Sequence, residues 1–356
     1  MTHSPRSSRA GGTLGQACAV AHPNIALVKY WGKKDGGGNR PAVGSISMTL
    51  NGMATQTCVR FTGSGGDDRI RLGGAEADAN THRRVRALLD RLRRYVPDAG
   101  AAEVESVNDF PTGAGLASSA SGFAALLVAA EAALGLHLSE DERSCLAREA
   151  SGSAPRSLYG GFVEMSTGQS PDGSDAVARP LLPPADWPLH VVVAVIREEE
   201  KEIGSGEGMR RSFATSPYAA AWVSSHPADL VEAREAIRHH DFSRLAAVSE
   251  ASCLKMHALA MSARPGLLYW RGATVEALHE IVALRRGGHE VFFTVDAGPQ
   301  VKAVCTSEAL AAVRERLLSI AGVRRLIVCR LGEGARLLAP EEPCAGGRDV
   351  RRKVNQ

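Results

Sequence analysis

Residues 115–122, GLASSASG, carry almost no side chain, and the chain then runs directly into FAALLVAAEAALGL. That second segment is apolar nearly all the way round, so it has to be buried on most faces and the fold must wrap layers about it. The first segment cannot contribute to a core. Its small residues instead let backbone N–H groups approach an anion, with the hydroxyls of Ser118 and Ser119 as further donors and the positive end of a helix dipole behind them. This reads as a phosphate cradle, and because the order G-x-x-x-x-G-K-[ST] is absent it is not a Walker loop. Close helix packing through small residues is the competing reading of the same run.

The 356 residues suit two domains, and 44% hydrophobic with 23% charged residues is the profile of a soluble globular chain. With 42 basic against 39 acidic residues the net charge is only +3, which speaks against a global field for nucleic acid. The arginine-rich HRRVRALLDRLRR at residues 82–94 is therefore read as a solvated helix face. Seven cysteines stand singly with no C-x-x-C pair, which fits reduced thiols in the cytoplasm and no structural zinc. No apolar run reaches the roughly 18 residues of a membrane span. Residues 1–17 are expected to be a disordered tail and 341–356 a flexible one.

The element order is mixed. Period-2 alternation predicts strands at 55–61 and 69–72, and helices are expected at 81–95 and 123–136. Ser139 and Glu142 have the spacing of a capping box that opens a helix toward Ala150. LYGGFVEMS reads as a strand, the Pro-rich RPLLPPADWP at 179–188 as a connector between domains, and VVVAVI at 191–196 as a buried strand. Helical patterns at 227–239, 242–261 and 274–286 precede the strand-like EVFFTV and VKAVC. The expected fold is α+β, with a nucleotide-loop domain at 18–185, a second α+β domain at 186–340, and the active site in the cleft between them.

Three further stretches carry chemistry. PNIALVKYWGKKD at 23–35 interrupts an expected strand with charge, and Lys29 and Lys33, four apart, would share one face of it; surface lysines at a strand end are the bland alternative. SGSAPRS at 151–157 adds small hydroxyl residues and one arginine suited to bidentate capture of a carboxylate or phosphate. TVDAGPQ at 294–300 places Asp296 where a buried strand stops and a turn begins, a position that a turn-forming aspartate also occupies. His22, Trp31 and His257 show no chemistry of their own and read as packing residues.

Together with NDFPTGAGLASSASG at 108–122, and above all through N-x-A-x-x-K-Y-W-G-K, these stretches resemble the diphosphomevalonate decarboxylases, within the superfamily of galactokinase, homoserine kinase, mevalonate kinase and phosphomevalonate kinase. The likeness runs from about Ala21 to Cys305 and takes in GMRRSFATS and MHALAMSARPGLLYW. It implies the two-domain fold of that superfamily, ATP and Mg2+ as cofactors, mevalonate 5-diphosphate as substrate, and a homodimer. It implies that Asn108, Pro111, Gly113, Gly115, Ser118 and Ser119 hold ATP, and that Tyr30, Trp31, Gly32, Lys33, Arg83, Ser151, Gly152, Ser153, Ala154, Pro155, Arg156 and Thr215 surround the substrate. Asp296, Lys29 and Arg156 become the implied catalytic set, with no residue assigned to a metal. Departures are Arg40 and Ala42 in GNRPAVGS and Gln300 after DAGP, where relatives commonly carry other residues. A decarboxylase of the 5-phosphate, a kinase that stops after phosphorylation, and a nucleotide-binding sensor remain as alternatives.

Overall fold

The structure, a computed structural model, describes residues 15–110, 118–199, 202–339 and 342. Pro111, Gly113 and Gly115, residues 1–14 of the expected tail 1–17 and nearly all of 341–356 lie outside the described residues, while Gln16 and Ala17 of that expected tail are not a tail but part of the first strand, paired with Arg60 and Val59. In chain order the elements are β1 (Gln16–Ala21), β2 (Asn24–Val28), β3 (Ser45–Thr49), β4 (Thr55–Phe61), β5 (Arg69–Leu72), β6 (Ala75–Glu76), α1 (Ala79–Arg93), β7 (Ala102–Asn108), α2 (Ser118–Ala133) and α3 (Glu140–Ala150). There follow β8 (Phe162–Met165), β9 (Ala178–Leu182), β10 (His190–Val195), α4 (Ser205–Thr215), α5 (Ala219–Arg238), α6 (Phe242–Met261), α7 (Gly272–Arg286), β11 (Val291–Val295), β12 (Val301–Cys305), α8 (Leu310–Leu318), β13 (Arg325–Arg330) and β14 (Arg336–Leu337).

The strands form three sheets among the described residues, in the orders β14-β1-β4-β7-β5-β6, β2-β3-β8-β9 and β11-β12-β10-β13. The apolar α2 packs on β1 and β4 and against α1, α3 and the short helix at Ala154–Leu158. That enclosure is what its all-round apolar sequence requires. Leu126, Leu127 and Phe123 of α2 join Leu88, Leu89 and Leu92 of α1 in one core. A second core is shared between the other two sheets: Ile25, Ile46 and Phe162 meet Val191, Val193, Phe292 and Leu245. The two halves of the chain are thus joined through a broad apolar contact, which holds the cleft walls in fixed relation. On the far face of β10-β12, α7 and α8 close a third core around Ile281, Val313 and Leu317.

The capping box at Ser139 and Glu142 forms as expected, with the Ser139 side chain accepting from the Glu142 backbone N–H. Two expectations are corrected. The Pro-rich connector begins as β9, paired to β8 at a sheet edge, where Pro180 needs no ladder donor. Cys18 and Cys58, opposite one another on β1 and β4, form a disulfide, so the cysteines are not all free thiols; Cys145, Cys253, Cys305 and Cys329 are free. No described helix is long and apolar enough to cross a membrane.

Candidate active site

Strand β2 stops at Val28, short of both Lys29 and Lys33, and its pairing with β3 shifts between Ala26 and Val28. The two lysines therefore do not share a strand face. Lys29 is 1% exposed on the floor of a cleft, donating to the Ala26 carbonyl at 2.8 Å and to Oδ1 of Asp296 at 2.6 Å. Lys33 sits at the mouth, donating to Asn39 Oδ1 at 2.6 Å. Burial lowers the Lys33 ammonium below its ordinary range, and the nearby Arg84 and Arg210 add to the effect.

Asp296 follows directly on β11, and Lys302 lies within β12 opposite Thr294. Alternate side chains of β12 go to opposite faces: Val301, Ala303 and Cys305 enter the α7–α8 core, while Val304 and Lys302 turn toward the β2 side. The Lys302 ammonium reaches Oδ2 of Asp296 at 3.1 Å and is 2% exposed, whereas the carboxylate keeps 27% of its surface open to the cleft. Burial opposes ionisation of Asp296, but the two ammoniums together outweigh it and hold the carboxyl well below the usual range.

Arg156 projects from the short helix at Ala154–Leu158. Its guanidinium donates to Ser45 Oγ at 2.9 Å and to Asn24 Oδ1 at 3.4 Å, and lies 5.5 Å from the centre of the Tyr30 ring. Asn24 is itself fixed by donating to Ser157 Oγ at 2.7 Å and the Ser153 carbonyl at 3.1 Å. Burial pushes Arg156 down to about 10, with Tyr30 and Asp296 opposing. Among the described residues no carboxylate is within ion-pair distance of it, which leaves a buried cation suited to an incoming anion. The Tyr30 phenol, pushed up to about 12 by burial against the pull of Arg156 and Arg148, has no hydrogen-bond partner among the described residues. Its approach explains Gly152: a Cβ there would stand 2.2 Å from the Tyr30 hydroxyl.

The cleft encloses about 580 Å3 and is lined by Lys29, Tyr30, Trp31, Lys33, Ser118, Ser119, Ser151, Gly152, Ser153, Arg156 and Asp296 among others. The structure thus brings together most of the residues that the sequence singled out. Ser118 and Ser119 open α2 on the cleft wall, with Ser119 exposed. Ala154 and Pro155 are buried behind the wall. Gly32 makes the turn with a φ of 102°, where a Cβ would meet the Phe213 ring at 2.1 Å. Asn108 accepts from the Thr55 hydroxyl at 2.6 Å.

Arg83 and Thr215 are not on the lining. Arg83 is exposed and donates to Asn80 Oδ1 at 2.7 Å. Thr215 donates to the Arg211 carbonyl at 2.7 Å and accepts from the Arg264 N–H at 2.8 Å. The residue next to Arg83 in sequence, Arg84, is the arginine of α1 that lines the cleft, braced over the Phe123 ring at 4.6 Å and bonded to the Ala150 carbonyl at 3.1 Å. Arg84 and Lys302 were not anticipated; the signal for Lys302 was a lone lysine inside the apolar run VKAVC.

Trp31 packs as well as lines, donating to Ser212 Oγ at 2.8 Å and lying edge-on to Tyr269. His257 is buried against the Val295 carbonyl and pushed down to about 3 by that burial, a neutral packing residue; His22 bonds the Met53 carbonyl at 2.8 Å. Gln300 is buried and accepts from the Ile196 N–H at 2.6 Å, so this departure from the expected pattern supports the end of β10. No group of three His, Cys, Asp or Glu among the described residues is placed to hold a metal ion.

A two-domain α+β enzyme with an anion-seeking cleft between its halves is the class that fold and site define. Residues 21–178 match the family model for the diphosphomevalonate decarboxylase-like N-terminal domain, and residues 191–336 the model for the mevalonate 5-diphosphate decarboxylase C-terminal domain. The chain belongs to the diphosphomevalonate decarboxylase family. It is 33% identical to the human diphosphomevalonate decarboxylase over 93% of this chain and 95% of that protein. The solved mevalonate diphosphate decarboxylase of Staphylococcus aureus superposes with a TM-score of 0.85 at 35% identity, covering 91% of this chain and 98% of that one. A complex of the protein called MDDEF with MVAPP, AMPPCP and magnesium gives 0.83 at 36% identity, with the same coverage.

Proposed function

We propose that this chain catalyses the ATP-dependent decarboxylation of mevalonate 5-diphosphate to isopentenyl diphosphate, releasing ADP, phosphate and CO2. The observation that carries the reading is the placement of a cleft-facing carboxylate, Asp296, between two buried ammoniums with the acid-free Arg156 nearby. The family membership and the contents of the MDDEF complex support the same reaction and the use of ATP with Mg2+.

In this reading Arg156 holds the C1 carboxylate of the substrate, using the guanidinium edge left over by Ser45 and Asn24. Asp296 accepts a hydrogen bond from the tertiary 3-hydroxyl and orients its oxygen for attack on the terminal phosphorus; as the O3–phosphorus bond forms, the bond from phosphorus to ADP breaks and the hydroxyl proton passes to a phosphate oxygen. A hydroxyl leaves carbon poorly and a phosphate leaves well. Once O3 is phosphorylated, C3–O cleavage builds positive charge at C3, the Asp296 carboxylate favours that charge, and the C1–C2 electron pair moves in as CO2 departs. Ser118 and Ser119 with the first turn of α2 are the donors for the nucleotide phosphates. Magnesium bound to those phosphates supplies charge shielding, and no residue is assigned to it.

At the far end Tyr30, Lys33, Arg84, Ser151 and Ser153 are proposed to hold the substrate's phosphates, with Arg83 and Thr215 off the lining. The domains are proposed as 18–185 and 186–340, between which the Pro-rich segment passes. A homodimer is proposed from the family resemblance. A cytoplasmic site of action is proposed from the four free thiols, against which the Cys18–Cys58 bond stands. Mevalonate, its 5-phosphate and its 5-diphosphate offered in parallel with ATP and magnesium test the substrate: the 5-diphosphate should give the highest kcat/KM, and preference for the 5-phosphate would replace it.

A further inference from the structure

Lys302 is a lysine where a packed strand has no ordinary use for one. All five residues of β12 are buried, and Lys302 is 2% exposed. Burying an ammonium in such a place costs several kcal/mol unless a partner compensates. The partner is Oδ2 of Asp296 at 3.1 Å, while Lys29 takes Oδ1 at 2.6 Å. A carboxylate offers about four lone-pair directions, so two remain for the cleft after both lysines are served.

We infer that Lys302 is a positioning residue of this active site: from β12 its ammonium clamps the second oxygen of Asp296, so that the carboxylate presents its remaining lone pairs to the reacting hydroxyl as a fixed anion. This rests on the role proposed for Asp296 above. One lysine alone would leave the carboxylate able to rotate about its own axis. Two lysines on different elements, the end of β2 and the middle of β12, fix its plane.

The same arrangement makes Asp296 a weak proton acceptor, because protonation would leave two buried ammoniums facing a neutral acid. Other groups around it do not titrate in competition. Burial pushes His257 of α6 down to about 3 and raises the thiol of Cys253 on the same helix, so both are neutral near pH 7. Arg156, pushed down to about 10, stays charged there. Burial also lowers the Lys302 ammonium, and the charge of Asp296 opposes that. Removing either lysine would therefore raise the pH at which Asp296 takes up a proton.

The test compares Lys302→Met, which removes charge and donor, with Lys302→Gln, which keeps a donor alone. Turnover of mevalonate 5-diphosphate with ATP is followed from about pH 5 to about pH 8, and thermal unfolding is measured for each variant alone and combined with Asp296→Asn. Lys302→Met should lower kcat roughly tenfold or more with KM values moved less than about threefold, and kcat should fall toward the acid end of this range where the wild type stays flat, because one of the two charges that hold Asp296 down is gone. Lys302→Gln should change the pH profile in the same direction, since the charge is lost in both. In unfolding, Asp296→Asn should lower Tm by stranding two ammoniums, and adding Lys302→Met should restore part of the loss. A pH profile of wild-type shape in both Lys302 variants, or strictly additive Tm changes, would overturn the assignment. Absence of CO2 release by the wild type would remove the proposed reaction instead, and the unfolding cycle would still decide whether Lys302 and Asp296 act as a pair.

Discussion

Arg156→Gln should abolish most activity while leaving the protein as stable as before or more so. The guanidinium is 2% exposed and pushed down to about 10 from an ordinary value of 12.5. That displacement corresponds to a folding cost on the order of 3 kcal/mol, at about 1.4 kcal/mol for each tenfold change. Because the folded value lies below the unfolded one, the cost is fully present near pH 7 and fades only as pH rises from about 10 toward the unfolded value. Glutamine loses the bonds to Ser45 and Asn24, each worth about 1 kcal/mol. The net change is a gain of about 1 kcal/mol, or a Tm higher by about 2 °C. Two charge-assisted bonds to the substrate carboxylate are lost at the same time, which lowers kcat/KM roughly 10²–10³-fold. Differential scanning fluorimetry with and without mevalonate 5-diphosphate reads both parts: the ligand should raise the Tm of the wild type far more than that of the variant. A variant that melts many degrees lower yet retains half its activity would show that Arg156 is a packing residue and not a held-open anion site.

Asp296→Asn preserves shape and removes the negative charge that Lys29 and Lys302 share, so turnover should fall roughly 10²–10⁴-fold in a steady-state ADP assay; half the normal rate would end its assignment. Ser119→Ala should weaken ATP use with an almost unchanged Tm, since Ser119 is exposed and has little packing to lose; a large drop in Tm would favour the small-residue packing reading of GLASSASG. Arg84→Ala should narrow the preference for the 5-diphosphate over the 5-phosphate more than Arg83→Ala does, because Arg84 lines the cleft and Arg83 is turned to Asn80. Equal effects in parallel kinetics would show that the distal phosphate reaches beyond the lining.

Strong local patterns made much of this architecture legible. The helix at Phe242–Met261 has the bounds that its periodicity predicts, and the capping box before α3 forms from its own sequence. Where tertiary pairing overrides local chemistry the reading failed. Pro180 suggested a linker, but an edge strand tolerates proline; Pro227 suggested a helix start, yet α5 begins at Ala219 and carries it inside. The site was legible as residue types and not as geometry. Lys29, Arg156 and Asp296 meet in one cleft, whereas the choice between Arg83 and Arg84 depends on the rotation of α1, which one sequence does not set. Lys302 escaped notice because a lone lysine in a strand usually marks an edge. Only the register of β11 with β12 and the charge at Asp296 reveal why it is buried.

The central claim is that phosphorylation at O3 in this cleft leads on to loss of the C1 carboxylate. Mevalonate 5-diphosphate labelled at C1 with carbon-14, incubated with the purified chain, ATP and magnesium, tests it directly. Labelled CO2, ADP and inorganic phosphate should appear in equal amounts and at one rate; ADP formed in step with substrate loss but without labelled CO2 would contradict the account and leave a kinase.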